Sequence, residues 1–156
     1  MKVKIIIGEI CSGKTTFSSS FSEDCRIDVG SIVRSLTAIE ERIFDQNLDK
    51  DIIEAILQEI DLNHMVGVEE IVIAGMRQIS IFEAVVYHCD ETGVEWEVIY
   101  LEVPTEIRKQ RYEKRHAAKD VSITFELADQ KDKELGLYAL IQYIKHRKNT
   151  TIIQNY

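Results

Sequence analysis

The chain has few of the residues that interrupt or cross-link a folded domain. Its 156 residues include one proline, seven glycines and three cysteines. With so few chain breakers, the sequence shows no flexible linker, low-complexity tract or internal repeat, and we expect one domain with one core. The cysteines are odd in number and lack the paired spacing of metal ligands, which argues against a disulfide framework. We therefore expect a reducing, intracellular setting.

Long apolar runs and positive charge are also scarce. No apolar stretch approaches the roughly 20 residues of a membrane-spanning helix, and the first residues lack the basic and long apolar segments of a secretory signal. We therefore expect a cytoplasmic protein with no membrane partner. The net charge is −8, and residues 40–70 carry ten acidic residues against two basic ones. This composition is a poor match for a non-specific nucleic-acid binder.

Short runs rich in isoleucine and valine alternate with helical patterns along the chain. Strands are predicted at 3–7, 25–29, 70–74, 96–103 and 151–154. Helices are predicted at 14–21, at 31–44 with Ser31 as the N-cap, at 51–62 and at 80–93, then from Thr105 and from Thr124 or Ser122. Such alternation implies right-handed β-α-β crossovers and a parallel sheet covered on both faces. The predicted fold class is therefore α/β, a three-layer sandwich with a five-stranded parallel sheet.

The predicted helix at 51–62 carries apolar residues at helical spacing. These are Ile52, Ile53, Ile56, Leu57 and Ile60. Such a stripe packs against a core or against a second copy of the chain. The sequence does not separate these two arrangements, so a homodimer stays open.

The segment from Gly8 to Thr15 matches the pattern G-x-x-x-x-G-K-[ST] directly after the first predicted strand. In that pattern, glycines let backbone N–H groups turn towards a phosphate, and the lysine meets the β- and γ-phosphates of a nucleotide. The expected donor is ATP, although the pattern admits GTP, and Thr15 is the expected Mg²⁺ ligand. The predicted nucleotide-binding residues are Gly8, Cys11, Ser12, Gly13, Lys14, Thr15 and Thr16.

Arginines follow the predicted strands where a transferred phosphoryl group needs cations. Arg34 lies on the helix after the second strand and Arg77 lies just beyond the third, at carboxyl ends where α/β sheets bind ligands. Arg108, Arg111 and Arg115 are spaced to share one helix face within residues 105–119, a segment with six basic and two acidic residues. We predict that this face closes over the triphosphate.

In these features the chain resembles the nucleoside monophosphate kinase and thymidylate kinase-like group of phosphate-loop proteins, and it is also similar to archaeal dephospho-coenzyme A kinase-like proteins. The resemblance rests on Gly30-Ser31-Ile32-Val33-Arg34, Gly75-Met76-Arg77 and Arg111-Tyr112-Glu113-Lys114-Arg115. It implies P-loop NTPase topology in one kinase domain over 1–156, with acceptor-binding helices at about 31–64 and a short lid at about 108–122. It implies substrate binding by Arg34, Arg77 and Arg108, and catalysis by Lys14, Arg111 and Arg115.

Two features depart from that group. Its members usually carry an acid in an Asp-Gly step after strand three, where it supports hydrated Mg²⁺, but this chain has Ala74-Gly75. Asp28 is the nearest substitute as a metal ligand, since we expect the end of strand two to adjoin the phosphate loop. Asp28 also resembles the acid with which small-molecule and polynucleotide kinases accept a hydroxyl proton. The second departure follows the last strand, where members often continue into a loop and helix that touch the nucleotide base. For Asn155 and Tyr156 we expect a frayed tail, with contact to the purine as the alternative.

Three functions remain open on the sequence. The first is an ATP-dependent kinase acting on a nucleotide or nucleotide-like acceptor. The second is a hydroxyl kinase with Asp28 as general base, for which viral enzymes that phosphorylate hydroxymethyluracil in DNA are the resembling type. The third is a non-catalytic nucleotide-binding regulator, favoured if the arginines of residues 105–119 point away from the phosphate loop.

Overall fold

The structure is a computed structural model that describes residues 1–37, 46–116 and 123–156. Its strands are β1 (Lys2–Gly8), β2 (Arg26–Asp28), β3 (Glu70–Ala74), β4 (Glu95–Glu102) and β5 (Thr150–Gln154). Its α-helices are α1 (Lys14–Ser18), α2 (Val29–Thr37), α3 (Gln46–Met65), α4 (Ile79–Thr92), α5 (Thr105–His116), α6 (Phe125–Asp132) and α7 (Tyr138–Ile144). A 3₁₀ turn (Glu23–Cys25) precedes β2, and a π-helical turn (Lys133–Leu137) joins α6 to α7.

The five strands form one parallel sheet in the order β2-β3-β1-β4-β5. Central β1 pairs with both β3 and β4, so that Ile5 stands between Ile73 and Val98. This arrangement confirms the predicted α/β class with a five-stranded parallel sheet. Strand β3 lies between β2 and β1 in the sheet, because the chain returns through α3 before it pairs with β1. The end of β2 still reaches the phosphate loop as expected, since Asp28 lines one cleft with Lys14 and Thr15.

Successive isoleucines of β1 point to opposite faces of the sheet and are covered on both. Ile5 and Ile7 belong to the larger core, which also contains residues of α2, α3, α4 and α7. Ile6 belongs to a smaller core on the other face, where Phe17 and Phe21 pack. A third cluster forms near the phosphate loop, where Tyr112 of α5 and Phe125 of α6 pack against Cys11. The sheet therefore lies between two apolar layers, as predicted.

The apolar stripe of α3 belongs to the core of this chain. Ile52, Ile56 and Ile60 are buried against β-sheet and α4 residues of the larger core. Burial of these side chains within one chain means that they are not available as a dimer surface. A homodimer formed by another surface stays a prediction.

The ends of several helices differ from those predicted. Helix α1 stops at Ser18 instead of residue 21, where the hydroxyls of Ser18, Ser19 and Ser20 bond back to carbonyls of the preceding turn. Such bonds compete with continued helix. Helix α2 begins at Val29, ahead of Ser31, because Asp28 Oδ1 accepts the N–H of Gly30 at 3.0 Å as an N-cap does. The predicted end of that helix at residue 44 falls outside the described residues.

Other helix ends are as predicted. Gly93 ends α4 in the left-handed conformation, with φ 71°. Thr124 caps α6 by accepting the N–H of Leu127 at 3.3 Å, whereas Ser122 lies outside the described residues. Within the ranges that the structure describes, no helix is both long and apolar enough to cross a bilayer.

Candidate functional site

The loop from Glu9 to Gly13 curls at the carboxyl end of β1. The N–H of Ser12 donates to Glu9 O at 3.1 Å, and Gly13 adopts φ +96°, a left-handed conformation that a side chain would strain. Lys14 Nζ reaches back to donate to Gly8 O at 2.7 Å and to Glu9 O at 2.9 Å. The segment is therefore a closed loop around its lysine, as the motif predicts, and it is not extended.

Positive charge is concentrated at this loop. Burial, together with the nearby Arg77 cation, lowers the pKa of Lys14 from 10.5 to about 8, and the Asp132 carboxylate opposes that change. A buried ammonium with a guanidinium beside it is stabilised when an anion binds between them. The charge at the loop therefore fits a polyphosphate ligand.

Two clefts meet at the loop. The first, which we call the arginine cleft, has a volume of about 540 Å³, within the range of small-ligand sites. Its lining includes residues 10–15 with Arg34, Arg77, Arg115, Lys131 and Asp132. The second, which we call the aspartate cleft, has a volume of about 430 Å³ and includes Asp28, Ser31, Ala74 and Gly75. Lys14, Thr15 and Arg77 line both clefts, so a phosphate held by the loop is reachable from either side.

The predicted nucleotide-binding residues divide into two groups. Those from Cys11 to Thr15 line the arginine cleft. Gly8 and Thr16 line neither cleft. Gly8 lies behind the loop, where an added Cβ would stand 2.2 Å from Ser12 Oγ, so its small size lets the serine pack there. Burial raises the pKa of the Cys11 thiol, although the surrounding cations oppose the change.

The carboxylate of Asp28 lies beside Ala74-Gly75, where an acidic residue was expected at position 74. Asp28 stands in register with Ala74 across the β2–β3 pair, and a Cβ on Gly75 would lie 3.1 Å from Asp28 Oδ1. Its oxygens accept from the N–H of Gly30 at 3.0 Å and from the hydroxyl of Ser31 at 2.9 Å. The side chain is 56% exposed. The structure thus brings Asp28 into one cleft with Lys14 and Thr15, although β3 separates the two backbones.

The two arginines assigned to the acceptor both line the arginine cleft, and both have partners. Arg77 donates from Nε to Asp132 at 3.0 Å and from an NH group to Gly75 O at 2.8 Å. Arg34 donates to the hydroxyl of Ser31 at 3.0 Å and lies 3.7 Å from Asp28. The role of Asp132 was not predicted from the sequence, since nothing local links it to a residue 55 positions earlier.

Arg108 is not placed as a substrate-binding residue. It is 1% exposed and lines neither cleft. Its guanidinium pairs with Asp129 at 2.8 Å and Glu9 at 3.0 Å and donates to Ile10 O at 3.3 Å. This placement corrects the sequence assignment: the side chain extends beneath the loop, where two carboxylates neutralise it. Burial acts to raise the pKa of Asp129, but hydrogen bonds from Arg108 and Lys133 lower it below its ordinary value.

Arg111 and Arg115 differ in position although they share a helix face. Arg111 donates to Cys11 O at 3.2 Å and to Asn155 O at 2.7 Å, and it lines neither cleft. Arg115, one turn later, is exposed and lines the arginine cleft. The face predicted to close over a triphosphate thus packs on the loop itself, and of its three arginines only Arg115 reaches the cleft. Residues 117–122 of the predicted lid fall outside the described part of the chain.

The residue after β5 is docked on the loop, in contrast to the expected frayed tail. The N–H of Asn155 donates to Glu102 O at 3.1 Å and so continues the β4–β5 ladder. Its side-chain Nδ2 donates to Ser12 O at 2.9 Å. The prediction failed because the partners of Asn155 lie far from it in the sequence.

The π-helical turn brings α6 and α7 past Arg77. Gly136 in that turn has φ +109°, and an added Cβ would stand 3.0 Å from Arg77 O. The close approach places Asp132, at the end of α6, within bonding distance of the Arg77 guanidinium. Among the residues that the structure describes, no group of three or more His, Cys, Asp or Glu side chains is placed so that it could hold a metal ion.

Comparisons with known proteins extend these observations. The sequence model of a family described as AAA domain matches residues 5–132. A search of curated proteins found no match. Similar solved structures include a gluconokinase from Sinorhizobium meliloti, with 12% identity and a TM-score of 0.65 over 99% of this chain and 82% of that one. A sugar kinase from a Janibacter species has 12% identity and a TM-score of 0.64 over 99% and 85% of the two chains.

A chain of the Pnkp1/Rnl/Hen1 RNA repair complex has 18% identity and a TM-score of 0.64. The match covers 90% of this chain but only 45% of that longer one. These structures show that the fold is that of the P-loop kinases. With a family match over most of its length and the curled loop at Gly8–Thr15, the chain belongs to the AAA domain family.

Proposed function

We propose that this protein is a kinase that transfers the γ-phosphate of ATP to a hydroxyl group of its acceptor. The observation that carries the proposal is the Asp28 carboxylate, which lines one cleft with Lys14 and Thr15 of the phosphate loop. A monophosphate acceptor is already an anion and needs no base, whereas an alcohol acceptor is helped by one. A carboxylate beside the phosphate loop supplies that base.

The donor half of the site is built from the loop and its neighbours. Lys14 and Arg77 supply positive charge to the β- and γ-phosphates, and Arg115 faces the same arginine cleft from α5. The hydroxyl of Thr15, which lines both clefts, is an oxygen ligand of the kind that Mg²⁺ prefers. Bound Mg²⁺ would neutralise charge on the phosphate oxygens during transfer. Loop geometry, charge and cleft volume therefore all fit Mg²⁺-ATP.

The first residues of α2 orient the Asp28 carboxylate, which would face the acceptor. The N–H of Gly30 and the hydroxyl of Ser31 hold the two oxygens of Asp28, which fixes the direction of the carboxylate. Because the side chain stays half exposed, it remains accessible to an incoming hydroxyl. In this arrangement Asp28 takes the hydroxyl proton while the oxygen attacks the γ-phosphorus, and ADP leaves with the electron pair of the broken bond.

A nucleotide-type acceptor is the second candidate, because Arg34 and Arg77 both line the arginine cleft. Their partners weigh against it. Arg77 already donates to Asp132 and the Gly75 carbonyl, and Arg34 to Ser31, so part of each guanidinium is engaged before an acceptor phosphate binds. The names of two similar structures, a gluconokinase and a sugar kinase, support a polyhydroxy acceptor. The third comes from an RNA repair complex and so favours a nucleic-acid acceptor. A hydroxymethylated base in DNA would be one acceptor of that kind.

A non-catalytic regulator receives less support. That hypothesis is favoured by arginines that point away from the loop. Arg108 and Arg111 instead donate to loop carbonyls, and Arg115 lines the cleft beside them. The helix that carries these arginines is therefore part of the phosphate site.

The test is the substitution Asp28→Asn, with Asp24→Asn as the matched control on the exposed 3₁₀ turn. We expect Asp28→Asn to lower turnover by a factor of about 10² to 10⁴ while Mg²⁺-ATP binding changes little, because the amide cannot accept the proton. Binding is measured by calorimetry and turnover by transfer of radiolabelled phosphate. A mild loss of turnover would favour the phosphate acceptor instead.

The acceptor class is identified by the same label-transfer assay. The panel contains sugars and sugar acids, single- and double-stranded DNA with and without hydroxymethylated bases, RNA with a free 5′-hydroxyl, nucleoside monophosphates and dephospho-coenzyme A. Label on a hydroxyl acceptor that depends on Asp28 supports the proposal. Binding of ATP without transfer to any acceptor would support the regulator.

A further inference from the structure

Asn155 contacts the phosphate loop from outside both clefts. Its side-chain Nδ2 donates to Ser12 O at 2.9 Å, and its own carbonyl accepts from Arg111 at 2.7 Å. The same arginine donates to Cys11 O at 3.2 Å. The side chains of Arg111 and Asn155 therefore bind two consecutive carbonyls of the loop, those of Cys11 and Ser12. The Arg111 guanidinium also binds the main-chain carbonyl of Asn155, which connects the two residues.

Bonds to these carbonyls determine the direction of the next N–H groups. In a planar trans peptide the C=O of one residue and the N–H of the next point in opposite directions. With Ser12 O turned to Asn155, the N–H of Gly13 is turned away from it. With Cys11 O turned to Arg111, the N–H of Ser12 points into the loop, where it donates to Glu9 O at 3.1 Å.

The loop needs such support because its conformation is strained. Cys11 has φ +62° although it carries a side chain, and Gly13 has φ +96°. A positive φ is costly for a residue with a Cβ and persists when the surroundings hold it. A flip of the Ser12–Gly13 peptide would reverse the direction of the Gly13 N–H and would remove the bond from Asn155.

We infer that Asn155 is a positioning residue that holds the phosphate loop in its anion-binding form through the Ser12 carbonyl. The inference rests on the proposed nucleotide binding and adds a residue that does not touch the nucleotide. Asn155 lies outside the lining of the arginine cleft, and its amide nitrogen stands 2.3 Å from the place where a Cβ on Gly13 would lie. Gly13 is thus required for this contact as well as for its φ.

The test compares Asn155→Leu with Gln154→Leu, its exposed neighbour in β5. Leucine has a shape similar to that of asparagine and keeps the backbone bonds at 155, but it cannot donate to Ser12. Calorimetry gives the dissociation constants of Mg²⁺-ATP and of Mg²⁺ with inorganic tripolyphosphate, which has no base. We expect Asn155→Leu to weaken both by about tenfold, the size of one lost hydrogen bond to the loop, and Gln154→Leu to change neither.

Each other outcome has a defined meaning. A loss for ATP alone would show that Asn155 contacts the base and would overturn the inference. Unchanged affinities with a lower melting temperature would assign Asn155 a structural role only, which also overturns it. If Asn155→Leu does not fold, Asn155→Ala, which removes the donor without added bulk, is measured with the same two probes. A wild-type protein that binds neither probe would overturn the proposed function together with this inference.

Discussion

The guanidinium of Arg77 is held by the carboxylate of Asp132, with Nε and Oδ1 3.0 Å apart and 55 positions between the residues. The bond joins the segment between β3 and α4 to the last residue of α6. Both side chains are largely buried, with 12% and 11% of their surface exposed. Asp132 also acts on Lys14, whose pKa its charge raises. One carboxylate thus balances two cations at the phosphate loop.

Removal of this carboxylate is expected to destabilise the protein. Asp132→Asn removes the charge that opposes Lys14 and Arg77, and a lost hydrogen bond between charged groups costs about 1.5–3 kcal/mol. The free energy of unfolding is measured by urea denaturation without nucleotide. The control is Glu126→Gln in the same helix, which breaks the exposed pair with Lys109 and is expected to cost much less, because exposed ion pairs contribute little to stability. Equal losses in the two variants would contradict the role given to Asp132.

Nucleotide affinity is expected to depend on pH through Lys14. Its pKa is lowered to about 8, so the charged form that attracts phosphate is complete below that pH and is lost above it. Affinity for Mg²⁺-tripolyphosphate should therefore decline as the pH rises from 8 towards 10. The stability of the ligand-free protein changes with pH in the opposite direction. Between pH 8 and 10.5 Lys14 is largely protonated in the unfolded chain but largely neutral in the folded one. The contribution of Lys14 to the free energy of unfolding therefore rises with pH in this range.

The control for this pH dependence is Lys14→Arg. Arginine stays charged throughout this range, so the affinity of the variant, though weaker overall, should be nearly constant between pH 8 and 10. Calorimetric titrations at three pH values check both proteins. The same decline in both would assign the titration to a group other than Lys14.

Arg108 is expected to stabilise the loop without binding the acceptor. Arg108→Met keeps much of the side-chain volume but leaves the carboxylates of Glu9 and Asp129 without their buried partner. Breaking a buried ion pair from one side costs about 3–5 kcal/mol. The neighbouring Lys109→Met breaks only an exposed pair with Glu126 and should change the free energy of unfolding far less. Thermal and urea unfolding distinguish these outcomes, and a stable Arg108→Met with a raised acceptor KM would restore the sequence assignment.

The turn at Gly136 is expected to be sensitive to a single methyl group. Gly136→Ala meets both a φ of +109° and the Arg77 carbonyl at 3.0 Å. Gly67→Ala is the matched control, since Gly67 has φ +82° and open space around it. The control should lose about 1 kcal/mol from backbone strain alone, and Gly136→Ala should lose measurably more and also reduce turnover by moving Arg77. Equal stability and activity in the two variants would show that the turn accommodates the added methyl group.

Much of the fold could be predicted because the patterns that specify it are local. The strand at Glu70–Ala74 has the predicted ends, and the other four strands lie within two residues of theirs at each end. Runs of isoleucine and valine mark buried parallel strands regardless of what lies next to them. The curled loop was likewise predictable, since its glycines, lysine and threonine are consecutive in the chain.

The remaining features depend on contacts between distant residues. The spacing of Arg108, Arg111 and Arg115 defines a helix face, but it does not say that Glu9 and Asp129 cover the first of them. The insertion of β3 between β1 and β2 is a choice of topology that propensities do not encode. The contacts of Asp132 and Asn155 with the site join residues 55 and 143 positions apart. No local pattern identifies such pairs.

The position of Asn155 bears on the point in synthesis at which the loop becomes able to bind a triphosphate. Asn155 is synthesised 143 positions after Ser12, the loop residue whose carbonyl it binds. A nascent chain therefore carries the motif long before it can complete the bond that holds it. Because Asn155 directly follows β5, we expect the pairing of β5 with β4 to bring its side chain to the loop, so that triphosphate capture depends on the completed sheet.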